Sequence, residues 1–245
     1  MIGTVGIVGC SAPGAALCFE TICKEAQREL GIHAHPEISL NILPFVEHVT
    51  CVQARDWEGL ARMLLHSVER LRAAGADFVI CPDNTAHVVF DRVAAASRLP
   101  WIHIADAVTT EAVRRGYRRV GLLGTRALLA SKVYDGRLAA EEISVARPTE
   151  AECEALDALI FGDLSRGEVT PRGRALLAEL VARLRADERC EAVVLGCTEL
   201  PLLLEPRAPL AAPTLDSTRL LARAAIHRAI AMDRGARPVA QGARP

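Results

Sequence analysis

A chain of 245 residues that is 51% hydrophobic has room for one large α/β domain or two small lobes and is too apolar to be disordered. Its 29 basic and 30 acidic residues leave a net charge of −1, which argues against nucleic acid or another polyanion as partner. No apolar stretch reaches the length of a membrane span, and Met1 to Val5 shows no basic leader region, so the expectation is a cytoplasmic protein with no membrane partner.

Apolar runs alternate with amphipathic stretches along the chain, the pattern of parallel α/β architecture. The first strand is expected at 5–8. A helix at 15–30 follows, stopped by Gly31. A second strand at 38–43 is broken by Pro44, and the segment that follows it reads as a loop. A strongly periodic helix at 57–74 ends at Gly75. A third strand at 78–81 runs into Pro82, then a helix at 85–97 and a strand at 101–105. Next come a helix at 109–115 and a strand at 120–123. Helices are expected near 128–138, 150–165 and 171–186. A strand at 192–195, a short strand at 213–215 and a closing helix at 218–232 complete the pattern. The tail, 233–245, is expected to be disordered.

The chain repeats itself. Val5-Gly6-Ile7-Val8-Gly9-Cys10 matches Val120-Gly121-Leu122-Leu123-Gly124-Thr125 at an offset of 115. The segment 76–84 matches 190–198 at an offset of 114. Two matches at nearly one offset imply two related lobes, 1–105 plus 211–232 and 106–210, with a cleft between them. Equivalent strand ends then face each other across that cleft. Asp83 becomes the counterpart of Cys197, and Cys10 the counterpart of Thr125. Cys81 pairs with Leu195, one pleat deeper, and reads as core.

Cys197 stands in Gly196-Cys197-Thr198-Glu199-Leu200-Pro201, just after an apolar strand. Ligands of open α/β sheets bind at the carboxyl ends of strands, and a thiol there can act as nucleophile or proton carrier. The eight cysteines are thinly spread and include no CxxC pair, so neither a disulfide framework nor a bound metal is expected. His33, His35, His48, His66, His103 and His227 show no ligand spacing and receive no role.

These motifs resemble the aspartate/glutamate racemase superfamily over nearly the whole chain. The residues concerned are Gly6 to Ser11, Pro82-Asp83-Asn84-Thr85-Ala86-His87, Gly121 to Thr125, Gly196 to Pro201 and Leu215-Asp216-Ser217. The resemblance implies two pseudosymmetric α/β lobes, each a mostly parallel sheet flanked by helices, with the active site in the interlobe cleft. It implies a racemase or epimerase that uses two thiols to move an α-proton, without pyridoxal phosphate or metal. The substrate would be a small carboxylate or amino acid. Apart from the resemblance, a homodimer is expected, for which an apolar helix such as 60–71 offers a surface. Carried over residue by residue, Cys197 is one acid/base. Asn84, Thr85, Thr125 and Thr198 hold the substrate carboxylate. Apart from the resemblance, Ser11 is also placed at the site, Cys10 at the end of the first strand is the alternative second thiol, Glu199 braces Thr198, and His87 orients Asp83 or its loop.

Asp83 is the departure, a carboxylate where the family has its first cysteine. With a reference pKa of about 3.9 it is a weak base unless burial or a neighbouring thiolate raises it. The loop after the second strand lacks the arginine that would hold an acidic side chain; Arg55 lies further on, Leu128 replaces a usual threonine, and Ser165-Arg166 replaces a lysine motif. A neutral or amine-bearing substrate fits better. Two alternatives stay open: a single-thiol decarboxylase or isomerase of a small carboxylic acid, and a small-molecule binding protein without catalysis.

Overall fold

In the computed structural model, which describes residues 2–205 and 208–235, the two matching apolar runs each seed a parallel sheet. The first half runs β1 (Val5–Gly9), α1 (Ala12–Glu25), α2 (Gln27–Leu30), β2 (Ile38–Ile42), α3 (Phe45–Ala54), α4 (Trp57–Ala73), β3 (Phe78–Ile80), a 3₁₀ turn (Thr85–Val89), α5 (Phe90–Ala96), β4 (Trp101–Ile102) and α6 (Ile104–Arg114). The second runs β5 (Arg119–Leu123), α7 (Arg126–Leu129), α8 (Asp135–Ala140), β6 (Ser144–Ala146), α9 (Glu150–Gly162), a 3₁₀ turn (Leu164–Arg166), α10 (Pro171–Ala186), β7 (Ala192–Leu195), a 3₁₀ turn (Leu200–Leu203), β8 (Thr214–Asp216) and α11 (Ser217–Gly235). No helix among the described residues is long and apolar enough to cross a membrane.

The strand orders are β2-β1-β3-β4 and β6-β5-β7-β8, and the paired strands run parallel. The registers repeat as well. Val5 pairs with Ile38 and Phe78, and its counterpart Val120 pairs with Val145 and Ala192. Val79 pairs with Trp101 as Val193 pairs with Thr214. The fold is thus α/β with two equivalent sheets, and both put Gly-rich strand ends toward the same side.

Several boundaries differ from the sequence reading. Residues 211–216 were expected with the first lobe, but β8 pairs with β7 and belongs to the second sheet. The segment after β2 is a helix: Phe45, His48, Val49 and Val52 recur at helical spacing, and Pro44 starts the turn at its N-cap. α6 begins five residues before the expected start, because His103 caps it by accepting from the Ala105 N–H and Ile104, Ala105, Val108 and Ala112 form its buried stripe. β6, three residues long, is too short to show an alternation. The expected helix 15–30 is split at Ala26. α11 runs on to Gly235, so residues 233–235 of the expected tail are helical, and the rest of that expectation, 236–245, lies outside the described residues. The apolar face of α4 is no free dimer surface: Leu60, Leu64, Val68 and Leu71 are buried in the core under the first sheet.

The last helix of each half crosses over. Ala105, Val108 and Ala112 of α6 pack with Val120, Leu122 and Val194 of the second sheet. Leu221, Ala225, Ile226 and Ala229 of α11 pack with Val5, Ile7, Phe78 and Ile80 of the first.

Candidate active site

The ends of β1 and β3 on one side and of β5 and β7 on the other enclose a cleft, roofed by α3 and α9. It is lined by Ser11, Asp83, Asn84 and Thr85 from the first half and Thr125, Cys197, Thr198 and Glu199 from the second, with Phe45, His48, Val49 and Val52 of α3 and Ile160 and Phe161 of α9 above. Its free volume is about 50 Å³, room for a few waters.

On the second-lobe side Glu199 is the hub. Its carboxylate accepts from the Cys197 thiol at 3.0 Å, the Thr198 hydroxyl at 3.0 Å and the Ser11 hydroxyl of the other lobe. Ser11 in turn accepts from the Gly14 N–H at 3.3 Å as the N-cap of α1. Gly14 is required there: a Cβ at this position would lie 2.8 Å from Thr198 Cβ. Burial, then the Glu199 charge and its hydrogen bond, push the Cys197 thiol well above the ordinary thiol range. Cys197 therefore rests as a thiol, with its proton directed at a carboxylate.

On the first-lobe side Asp83 follows β3. Its Oδ1 accepts from the Ala86 N–H at 2.9 Å and caps the turn that begins at Thr85. Its Oδ2 faces His48 Nε2 at 3.3 Å. Burial alone would lower the His48 imidazole, but the charges of Asp83, Cys10 and Glu199 outweigh it and carry it up to about 9. His87 lies behind the cleft wall. Its Nε2 accepts from the Ile104 N–H at 3.2 Å, so Nδ1 carries the proton and donates to the Asp83 carbonyl at 2.8 Å. Burial holds it neutral, down to about 4.

Asn84 is fixed at both ends. Tyr134 donates to its Oδ1 at 2.6 Å, and its Nδ2 donates to Ser217 Oγ at 3.0 Å. The Thr85 and Thr125 hydroxyls meet at 3.0 Å, one from each lobe.

Eight of the ten residues read from the sequence thus line one cavity. Cys10 and His87, also placed at the site, are not among the lining residues. Cys10 is 1% exposed beneath the cleft floor, with its Sγ 4.0 Å from Cys81 Sγ, because side chains at the strand end alternate inward and outward. His87 braces the Asp83 backbone from behind. His48, given no role from the sequence, is a cleft residue; the helical spacing 45, 48, 49, 52 was the signal that would have placed it. Arg55 ends α3 in a left-handed turn, φ 54°, and lines the neighbouring groove instead. No arginine or lysine is among the described residues that line the cleft.

A family model described as Asp/Glu/Hydantoin racemase matches residues 7–225. Among solved structures, a candidate Asp/Glu racemase from Yersinia pestis is 29% identical, with a TM-score of 0.81 over 93% of this chain and 99% of that one. An aspartate racemase homologue from Pyrococcus horikoshii OT3, also 29% identical, gives a TM-score of 0.79 over the same shares. A broad specificity amino-acid racemase of Bacillus subtilis is 22% identical over 171 residues, 70% of this chain and 73% of that protein. With a repeated parallel sheet, a cleft between equivalent strand ends and a family match over most of its length, the chain belongs to the Asp/Glu/Hydantoin racemase family.

Proposed function

We infer that the chain is an amino-acid racemase or epimerase that works, without pyridoxal phosphate, by proton transfer between Asp83 and Cys197. The observation that carries this reading is that two unlike proton carriers, on equivalent strand ends of the two lobes, line one cleft. Asp83 takes the α-proton from one face and the Cys197 thiol delivers one to the other. Glu199, 3.0 Å from Cys197 Sγ, supports that thiol as it gives up and regains its proton. The Thr85, Thr125 and Thr198 hydroxyls and the free N–H of Asn84 stabilise the charge that builds on the substrate carboxylate.

The substrate side chain follows from the roof. Phe45, Val49, Val52, Ile160 and Phe161 are apolar, and the one cationic group in the lining, His48, is matched by Asp83. An uncharged, apolar side chain fits, and an acidic one meets no free cation.

Incubating single enantiomers in D2O and following α-deuterium by NMR tests the reading. Apolar amino acids should exchange, and Cys197→Ala and Asp83→Asn should each abolish the exchange. No exchange across a broad panel refutes it. One observation favours a second reading: both Asp83 oxygens already have partners, Ala86 N–H and His48, which leaves the Cys197 thiol, backed by Glu199, as the proton donor. Decarboxylation of a malonate-type acid needs only that. Carbon dioxide release that survives Asp83→Asn and vanishes in Cys197→Ser would select it.

A further inference from the structure

Asp83 has neighbours that proton transfer does not use. Cys10 Sγ, a His48 ring nitrogen and an Asp83 carboxylate oxygen all lie within 4.8 Å of one another. They come from three separate places: the end of β1, the first turns of α3 and the loop after β3. No local ligand spacing announces them in the sequence.

These three groups converge, with His48 and Asp83 paired only loosely. The 3.3 Å between His48 Nε2 and Asp83 Oδ2 is long beside the roughly 2.7–2.9 Å of a charge-assisted hydrogen bond. Two nitrogen or oxygen ligands at about 2.0 Å from a tetrahedral zinc stand about 3.3 Å apart, the separation found here. A sulfur at about 2.3 Å would stand about 3.5 Å from each of them, so Cys10 has a gap of at most about 1.3 Å to close.

We propose that Cys10, His48 and Asp83 form a site for one divalent cation of the zinc class, with its fourth position open to the cleft. The donor set selects the metal. Mixed sulfur, nitrogen and oxygen ligands suit zinc, whereas magnesium and calcium require oxygens. Charge balances too: thiolate and carboxylate offset the dication, and the imidazole binds as its neutral form after losing its proton. The fourth position faces the cleft because Asp83 and His48 line it while Cys10 lies beneath.

Occupation has a consequence for the reaction inferred above, and this part rests on that reading. Asp83 Oδ1 is held by the Ala86 N–H at 2.9 Å. With Oδ2 on a metal, neither oxygen is free to take an α-proton, and the cation switches proton transfer off.

The test titrates reduced, metal-free protein with Co²⁺ and then Zn²⁺. One Co²⁺ per chain should bind with a sulfur-to-cobalt charge-transfer band, and Zn²⁺ should displace it. Cys10→Ser should lose the band, and His48→Gln should weaken binding by roughly tenfold or more. Cys81→Ser should keep the band, since Cys81 lies 4.0 Å from Cys10 but outside the cluster; that variant separates ligand loss from disturbance of the thiol pair. Absence of the band in the unaltered protein, or its survival in Cys10→Ser, overturns the site. In the D2O assay one equivalent of Zn²⁺ should abolish exchange, and exchange unchanged by bound zinc overturns the switching role. An intact band in a protein that never exchanges defeats the racemase reading and leaves the site standing.

Discussion

Adding one methyl group at Gly14 puts the joint between α1 and the Cys197 loop to a direct test. In an ordinary helix interior, glycine to alanine stabilises by about 0.5–1 kcal/mol. At Gly14 the new Cβ falls 2.8 Å from Thr198 Cβ and 2.9 Å from Ser11 Oγ, and still nearer to Thr198 Oγ1. Thr198 cannot simply turn away. It is β-branched and stiff at χ1, and its hydroxyl donates to Glu199 at 3.0 Å. Overpacking of this kind costs about 1–3 kcal/mol, which leaves Gly14→Ala less stable by up to about 2.5 kcal/mol after the helix gain. Gly136 in α8 is the matched control, because its Cβ meets nothing within 4 Å. Gly136→Ala should therefore gain up to about 1 kcal/mol. Urea unfolding followed by far-UV circular dichroism reads both, and thermal scans should separate them by roughly 2–4 °C for each kcal/mol. If Gly14→Ala stabilises as much as Gly136→Ala, the close approach of α1 to Thr198 is wrong.

Glu199→Gln removes the charge that helps hold the Cys197 proton, so the pH profile of Cys197 alkylation should move to lower pH; a profile that does not move refutes the role given to Glu199. Tyr134→Phe leaves Asn84 Oδ1 buried without its 2.6 Å donor, which should cost about 1–3 kcal/mol in urea unfolding. Glu25, on α1, takes a two-point grip from Arg223 on α11 at 2.6 and 3.0 Å, which holds its carboxyl below the usual 4.5. Because the folded value is the lower one, this stability is present above pH 4.5 and is lost as pH falls through the folded value. Glu25→Gln should thus cost up to about 1 kcal/mol at neutral pH and progressively less in acid, read from denaturation midpoints across pH.

What could be read from the sequence had a physical cause, and so did what could not. The two sheets were legible because buried parallel strands such as Val5–Gly9 and Ala192–Leu195 are continuous apolar runs. The internal repeat then set Asp83 opposite Cys197 before any geometry was known. α10 was legible to the residue, since Thr170 caps it and Pro171 opens it. β4 and β6, of two and three residues, carry no period to detect. α3 was lost because Pro44 reads as a strand breaker when it is also a helix start. His48 was lost with it, since its partners Cys10 and Asp83 are distant in the chain. Cys10 was misplaced by a single pleat, which turns a side chain from the cleft to the floor.

The crossing of α6 and α11 decides what counts as half of this protein. A cut at the exposed turn near Gly116, which has a φ of 74°, would leave the first sheet without Leu221 and Ile226 and the second without Val108 and Ala112. Each fragment would keep the cover that its own helices give one face of its sheet, α4 in the first and α9 and α10 in the second, and lose on the other face the cover that the other fragment carries. The cooperative folding unit is therefore the whole chain, although the topology repeats. Neither half should fold when expressed singly, while the two expressed together should reassemble with the cleft intact. The same exchange couples the cleft to stability: each lobe is anchored through a helix rooted in the other, so separating the lobes uncovers both cores.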